Sequence, residues 1–250
     1  MRALRHPQLR SEHQPHVLFQ ASTIGALLDG AYDGDVSFAE LAEHGDLGLG
    51  TLNALDGEMI ALDGRFYRAD IDGAVSEISG KALTPFAVVT WFEPSIEFHL
   101  DGPLSPDQLV AELDRRLPED AAAACAVRID GSFQLVRARS VPRQGKPYPP
   151  LTEVVDHQRV FEVADAEGAI VGFRFPDYSE GIEVSGYHLH FISTDRTRGG
   201  HVLEARPRSV RVRIDASARL RVELPPGVEL SSPDLHRSTH EAIARVEHSG

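Results

Sequence analysis

The chain of 250 residues has one cysteine, Cys125, so no disulfide can form within it and the fold must rest on packing alone. Positive charge is scarce: 25 Lys and Arg against 38 Asp and Glu leave a formal net charge of −13 with the histidines neutral. That balance argues against a nucleic-acid partner, whose phosphates need clustered cations, and against adsorption to an anionic membrane. No apolar run approaches the roughly 18 residues of a membrane-spanning helix. The opening MRALRHPQLRSEHQPH is polar and lacks the apolar centre of a secretory signal. Neither an internal repeat nor a low-complexity segment is present. A soluble, cytoplasmic protein is therefore expected. With 42% hydrophobic residues the chain has ordinary globular content, and at this length a core can form without covalent staples.

Residues 1–13, polar and non-periodic, are expected to form a flexible tail. Order is expected from HVLFQASTIGALLDG, where Ser22 or Thr23 can cap a short helix that Gly30 ends. SFAELAEHG reads as a second helix, with Ser37 and Glu40 forming a capping box and Gly45 as the stop. Beyond it, Asp56-Gly57, Asp63-Gly64 and Asp72-Gly73 separate short apolar pieces, the pattern of successive hairpins, with GEMIALDGRFYRA the clearest. PFAVVTWF reads as a buried strand, and Trp91 within it as core or pocket lining. SPDQLVAELDRRL predicts a helix capped by Ser105, with Pro106 at its first position. CAVRIDGSFQLVRARSV reads as a hairpin turning at Asp130-Gly131. The proline-rich PRQGKPYPPL, read as a linker or an ordered surface loop, marks a boundary between residues 14–150 and a mainly-β segment, residues 151–250. In that second segment VFEVADAEGAIVGFRFPD, IEVSGYHLHFISTDRTRGGHVLEA and VRVRIDASARLRVELP read as strand pairs around turns, before a short C-terminal helix at STHEAIARVEHSG.

The sharpest chemical signal is YHLHF followed by GGH. On a strand, His188 and His190 point to one face with Cα atoms about 6.6 Å apart, close enough for both imidazoles to reach one metal at ~2.0–2.1 Å. The segment STDRTRGG turns the chain, so a hairpin can bring His201 to the same face, and Gly199-Gly200 suggests close backbone approach. Three neutral imidazoles leave a coordination position open, as in catalytic rather than structural zinc sites. The bland alternative is three unrelated histidines on a hairpin. A cupin also begins from His-x-His, but here Gly181 lies one residue too far from His188 and Thr194 and Asp195 stand where a cupin needs Glu. His44 lies at a predicted helix end, where a histidine favours the dipole, His99, His157, His236 and His240 have no ligand spacing, and Cys125 reads as a small buried apolar residue.

HGDLGLGTLNALDGEMIALDG, TPFAVVTWF, RSVPRQGKPYPPL and YHLHFISTDRTRGGHVLE, in this order, resemble the alpha-acetolactate decarboxylase family over most of residues 17–204. The pattern of helices, strands and turns gives an α+β (mixed α/β) fold, mainly antiparallel sheet; the resemblance implies two packed subdomains, of which the C-terminal one is β-barrel-like, and a homodimer. It implies an enzyme that converts 2-acetolactate to acetoin and carbon dioxide with Zn2+ held by His188, His190 and His201. It also implies site roles for Glu58, for Thr51, and for Arg139, which is followed by Ser140 where the family usually has Thr. A glutamate near the C-terminus, matched to Glu247 with Glu241 as the other candidate, completes the implied set. The small-molecule substrate is an anion despite the chain's negative charge. A local zinc and arginine field can outweigh remote charges, which salt screens within about 8–10 Å. Two further function classes stay in view, a cupin-like metal oxygenase or isomerase and a non-catalytic small-molecule binding module.

Overall fold

The computed structural model describes residues 13–117, 124–217, 219–224 and 246. Most of the expected N-terminal tail, the expected C-terminal helix, Glu241 and Glu247 lie outside them. The described chain is mixed α+β and dominated by antiparallel sheet.

The elements run β1 (Val17–Ala21), α1 (Ile24–Leu28), β2 (Val36–Ser37), α2 (Phe38–Leu41), β3 (Leu47–Thr51), β4 (Glu58–Leu62), β5 (Arg65–Ala69), β6 (Val75–Glu77), β7 (Leu83–Thr84), β8 (Ala87–Thr90) and β9 (Ile96–Asp101). Then come α3 (Pro106–Asp114), β10 (Ala124–Ser140), α4 (Leu151–Val154), β11 (Arg159–Phe175), β12 (Gly186–Ser193), β13 (Gly199–Ser217) and β14 (Arg219–Glu223). Caps fall where the sequence puts them. Thr23 accepts from the Ala26 amide, and Ser37 and Ser105 each form a capping box, with Glu40 and Gln108. α2 is shorter than SFAELAEHG suggests: the chain is pressed against β8 at Gly45, where a Cβ would lie 2.5 Å from the Thr90 nitrogen. The β4–β5 hairpin turns through Asp63 and Gly64, both at positive φ (53° and 73°), as a type I′ turn requires.

A seven-stranded sheet has the order β14-β1-β8-β3-β4-β5-β6, antiparallel except for the parallel β1–β14 pair. A second sheet has the order β10-β11-β12-β13-β9, and β10 also pairs with β13, so β10, β11, β12 and β13 close a circuit of pairings. Two readings need correction here. Asp130-Gly131 is not a turn: β10 runs through it as one strand of 17 residues. Gly131 instead lets β13 approach, since a Cβ there would sit 2.3 Å from the Ser209 carbonyl. VFEVADAEGAIVGFRF is likewise one strand, with Asp165 at φ 47° as a local irregularity.

Alternation on buried strands sets what each face meets. On β4, Met59 and Ala61 pack outward with Phe38, Leu41 and Phe66. Ile60 and Leu62 face inward, onto Val171, Phe173 and Ile192 of the second sheet. The circuit's other side is filled by Val127, Ile129, Phe133 and Phe191 with Leu109 and Leu113 of α3. The proline-rich segment is an ordered loop held onto the first sheet's connections. The Gln144 amide donates to Ala54 O at 2.7 Å, Tyr32 Oη to Pro149 O at 2.8 Å and Tyr148 Oη to Asp33 at 2.9 Å.

The spacing of β11 and β12 has no slack. A Cβ on Gly172 would lie 2.0 Å from the His188 carbonyl oxygen, a backbone atom that cannot swing away. Gly172→Ala is expected to cost about 1–3 kcal/mol of stability by overpacking, read by denaturant unfolding. Wild-type stability in that variant would show that the two strands can separate freely.

Candidate metal centre

Strand periodicity builds the centre. On β12, His188 and His190 share a face with Ile192, and Ile192 packs between the sheets, so both imidazoles point into the inter-sheet space. His201, the third residue of β13, stands directly opposite His190 in the ladder. Gly199 and Gly200 allow the approach: Cβ atoms there would sit 2.8 Å from Phe191 O and 2.9 Å from Arg139 O. The three ring centroids are 5.1–5.3 Å apart, and one ligand nitrogen from each ring lies within 4.8 Å of the others. All three residues are buried.

Hydrogen bonding sets the tautomer of His190. Its Nδ1 lies 2.8 Å from the carbonyl oxygen of Met59, which can only accept, so Nδ1 carries the proton and Nε2 presents a lone pair. Nε2 of His190 and Nδ1 of His188 are buried with no hydrogen-bond partner. Burial, reinforced by the nearby Arg139 charge, pushes the His188 pKa down to about 3. Burial first, then His188 and Arg139, holds His190 well below the ordinary histidine range, against the opposing effect of the Met59 bond. At neutral pH the rings of His188 and His190 are neutral, the form that binds metal, and their orphaned nitrogens are what a divalent cation would satisfy. The residues fit a metal. Imidazole alone suits zinc, copper, iron or nickel.

Around the triad lie the other expected residues. Glu58 begins β4 on the same inward face as Ile60 and Leu62. Its carboxylate is 3.5 Å from Arg139 Nη1 and 3.7 Å from His190 Nε2. Arg139, near the end of β10, is paired in register with His201 and only 4% exposed. Its Nη2 donates to Val246 O at 3.0 Å, while its Nε is buried without a partner. Thr51, opposite Glu58 in the β3–β4 ladder, donates its hydroxyl proton to Gly57 O at 2.8 Å. These six residues line one cavity of about 440 Å³, whose apolar wall is Ile24, Leu27, Leu55, Phe86, Val141, Leu151 and Val246.

The structure thus brings together Thr51, Glu58, Arg139, His188, His190 and His201, while Glu247 lies outside the described residues. Trp91 does not line the cavity: it is half-buried and stacks on His13 with ring centroids 4.8 Å apart. Cys125 is buried, which pushes its thiol up to about 11 and leaves it inert. Sequence reasoning missed the apolar wall, which joins α1, the β3–β4 loop and the segment after the prolines, and it missed the Met59 carbonyl. No local pattern marks either.

A family model described as alpha-acetolactate decarboxylase matches residues 18–237. The protein of Methylococcus capsulatus named alpha-acetolactate decarboxylase is 48% identical over 235 residues, 94% of this chain and 90% of that protein. The protein of that name from Klebsiella aerogenes is 42% identical, again over 94% of this chain and 90% of its own length. The crystal structure of alpha-acetolactate decarboxylase from Bacillus subtilis strain 168 matches with a TM-score of 0.88 at 38% identity, covering 93% of this chain and 100% of that one.

The depressed His188 pKa makes metal-free stability pH-dependent. An unfolded histidine takes a proton near 6.5, the folded one only near 3, so between these values the unfolded chain holds more protons and acid favours it. Stability is whole above about 6.5 and falls as pH drops toward 4, by up to ~1.4 kcal/mol per unit for this one group. Melting of metal-free protein from pH 7 to 4 should show a steeper decline in wild type than in His188→Asn; equal slopes would mean that the ring is not held neutral.

Proposed function

The chain belongs to the alpha-acetolactate decarboxylase family, and from that premise we propose that it converts 2-acetolactate to acetoin and carbon dioxide at a zinc ion held by His188, His190 and His201. The observation that carries the reading is the buried three-histidine cluster, with unpartnered nitrogens on His188 and His190, lining one cavity with Glu58 and Arg139.

2-Acetolactate has a ketone, a tertiary hydroxyl and a carboxylate β to the ketone. Loss of carbon dioxide breaks a carbon–carbon bond, and its electron pair places negative charge on the ketone oxygen. When bound, zinc supplies a Lewis acid where that charge develops, which removes the need for a thiamine or pyridoxal electron sink. Arg139 holds the substrate carboxylate: a guanidinium offers donors in a fixed fork, and the partnerless Nε is one of them. Glu58 moves the proton that takes the place of carbon dioxide on carbon, its carboxyl lying beside both the guanidinium and the triad. Glu247 is the second candidate for that proton. Thr51, whose proton is engaged by Gly57, is left to accept a hydrogen bond from the substrate hydroxyl. The apolar wall takes the methyl groups and excludes water, which strengthens every charge interaction inside.

We also read the molecule as a cytoplasmic homodimer. Each protomer has two packed subdomains, residues 14–150 and residues 151–250, the second β-barrel-like, with β10 of the first joining its circuit of pairings.

Acetoin is to be measured from racemic acetolactate with protein as purified, after chelation, and after zinc is returned. Activity that vanishes on chelation and returns with zinc is expected; stoichiometric zinc with no acetoin would sink the proposal. Arg139→Gln is expected to lower kcat/KM by about 10–100-fold, since a charge-assisted hydrogen bond contributes ~1.5–3 kcal/mol. An unchanged kcat/KM would remove Arg139 from the site.

A further inference from the structure

The connection that delivers Glu58 is strained and held at many points. In residues 52–57, Ala54 and Leu55 adopt left-handed conformations, with φ 61° and 52°. Side chains disfavour that region, and such a geometry persists only where neighbours over-determine it. The Ala54 amide donates to Tyr32 O at 2.8 Å, and Ala54 O accepts from the Gln144 amide at 2.7 Å. Gly57, at φ 96°, is pressed against β5 so closely that a Cβ would sit 2.4 Å from Ala69 O.

Two side chains grip the turn just ahead of Glu58. From the cavity side, Thr51 donates to Gly57 O. From the outer side Arg68 forks onto Asp56: Nε donates to the backbone carbonyl and Nη2 to Oδ1, both at 2.6 Å. Arg68 stands opposite Met59 in the β4–β5 ladder and therefore on the outward face, away from the cavity, of which it lines no part. The second Asp56 oxygen accepts from Arg143 Nη1 at 2.9 Å, four residues beyond Arg139, so one carboxylate joins the Glu58 turn to the segment that follows the site arginine. An exposed ion pair would contribute little. This one is a two-point fork with both side chains half-buried, at 32% and 22% exposure.

We infer that Arg68 is a positioning residue for the reaction: its fork on Asp56 fixes the turn that aims Glu58 at Arg139 and the histidine triad. The inference rests on the reading of Glu58 as the group that moves the proton. Arg68 touches no reacting atom, so its loss lowers turnover and not substrate binding.

The test measures acetoin kinetics, bound metal and melting temperature for Arg68→Gln, Arg68→Lys, Asp56→Ala and the double variant Arg68→Gln/Asp56→Ala. It adds amide hydrogen exchange of Ala54 and Gly57 in the metal-free proteins. Arg68→Gln is expected to lower kcat about tenfold with KM within about twofold, bound metal unchanged and the fold intact, a loss of ~1.4 kcal/mol in transition-state stabilisation. Arg68→Lys keeps the charge without the fork and should fall with Arg68→Gln. The double variant should lose less than the two single losses combined, because both single changes remove the Nη2–Oδ1 contact. Exchange at Ala54 and Gly57 should quicken. Wild-type kcat in Arg68→Gln, full rescue by lysine, unchanged exchange, or a loss of turnover matched by loss of metal or folded protein would each overturn the inference. If the wild-type protein forms no acetoin, the function reading fails, and the exchange measurement still decides whether Arg68 holds the turn.

Discussion

The hydrogen bond from His190 Nδ1 to the Met59 carbonyl joins the two large sheets at the point where the chemistry is gathered. Met59 belongs to β4 of the first sheet and His190 to β12 of the second. The bond leaves the Nε2 lone pair of His190 facing the cavity, so the packing of one sheet on the other sets the tautomer of a metal ligand. The same packing excludes water and drives the histidine pKa values down, which keeps the rings available to a cation at neutral pH. Fold stability and site chemistry therefore depend on one inter-sheet contact surface.

That surface is assembled by parity. Residues two apart on a strand share a face, so Glu58 follows Ile60 and Leu62 inward, Thr51 follows Leu47 and Leu49, and His188 and His190 follow Ile192. Each of these side chains lies at the end of a run of core residues, where the apolar interface gives way to the cavity. Rigid strands hold these groups more tightly than loops would. The exception is the β3–β4 connection, whose left-handed residues bring Leu55 to the wall and deliver Glu58, and which is held by hydrogen bonds from both sheets' connections.

The charge balance of the whole chain says little about this interior. A net charge of −13 is spread over a surface where most arginines have acidic partners, such as Arg211 with Glu97 and Arg208 with Asp165. Inside, Arg139 brings a positive charge to the triad with Glu58 beside it, buried where solvent screening is weak. An anionic substrate meets that local field, and the distant carboxylates are screened by salt.

Much of this was legible from residues alone. The capping boxes at Ser37 and Ser105, the Asp63-Gly64 hairpin, the buried strand at residues 87–90 and the His-x-His pair each follow from rules that act over a few positions: a side chain reaching its own backbone, a turn needing positive φ, a period of two. The same rules misread Asp130-Gly131 as a turn, because the glycine serves a close approach by β13, some 80 positions later in the chain. Trp91 is neither core nor pocket lining, because its ring stacks on His13 near the surface. By itself the sequence determined the local elements, the two-residue spacing that aims the histidines together, and the resemblance that names their chemistry. Tertiary structure alone decided how closely Arg139 and Glu58 stand to each other and to the histidine hairpin, which apolar residues wall the cavity, and that a Met59 carbonyl orients His190. Those contacts join distant segments through backbone atoms and packed faces, which carry no residue-specific signature along the chain.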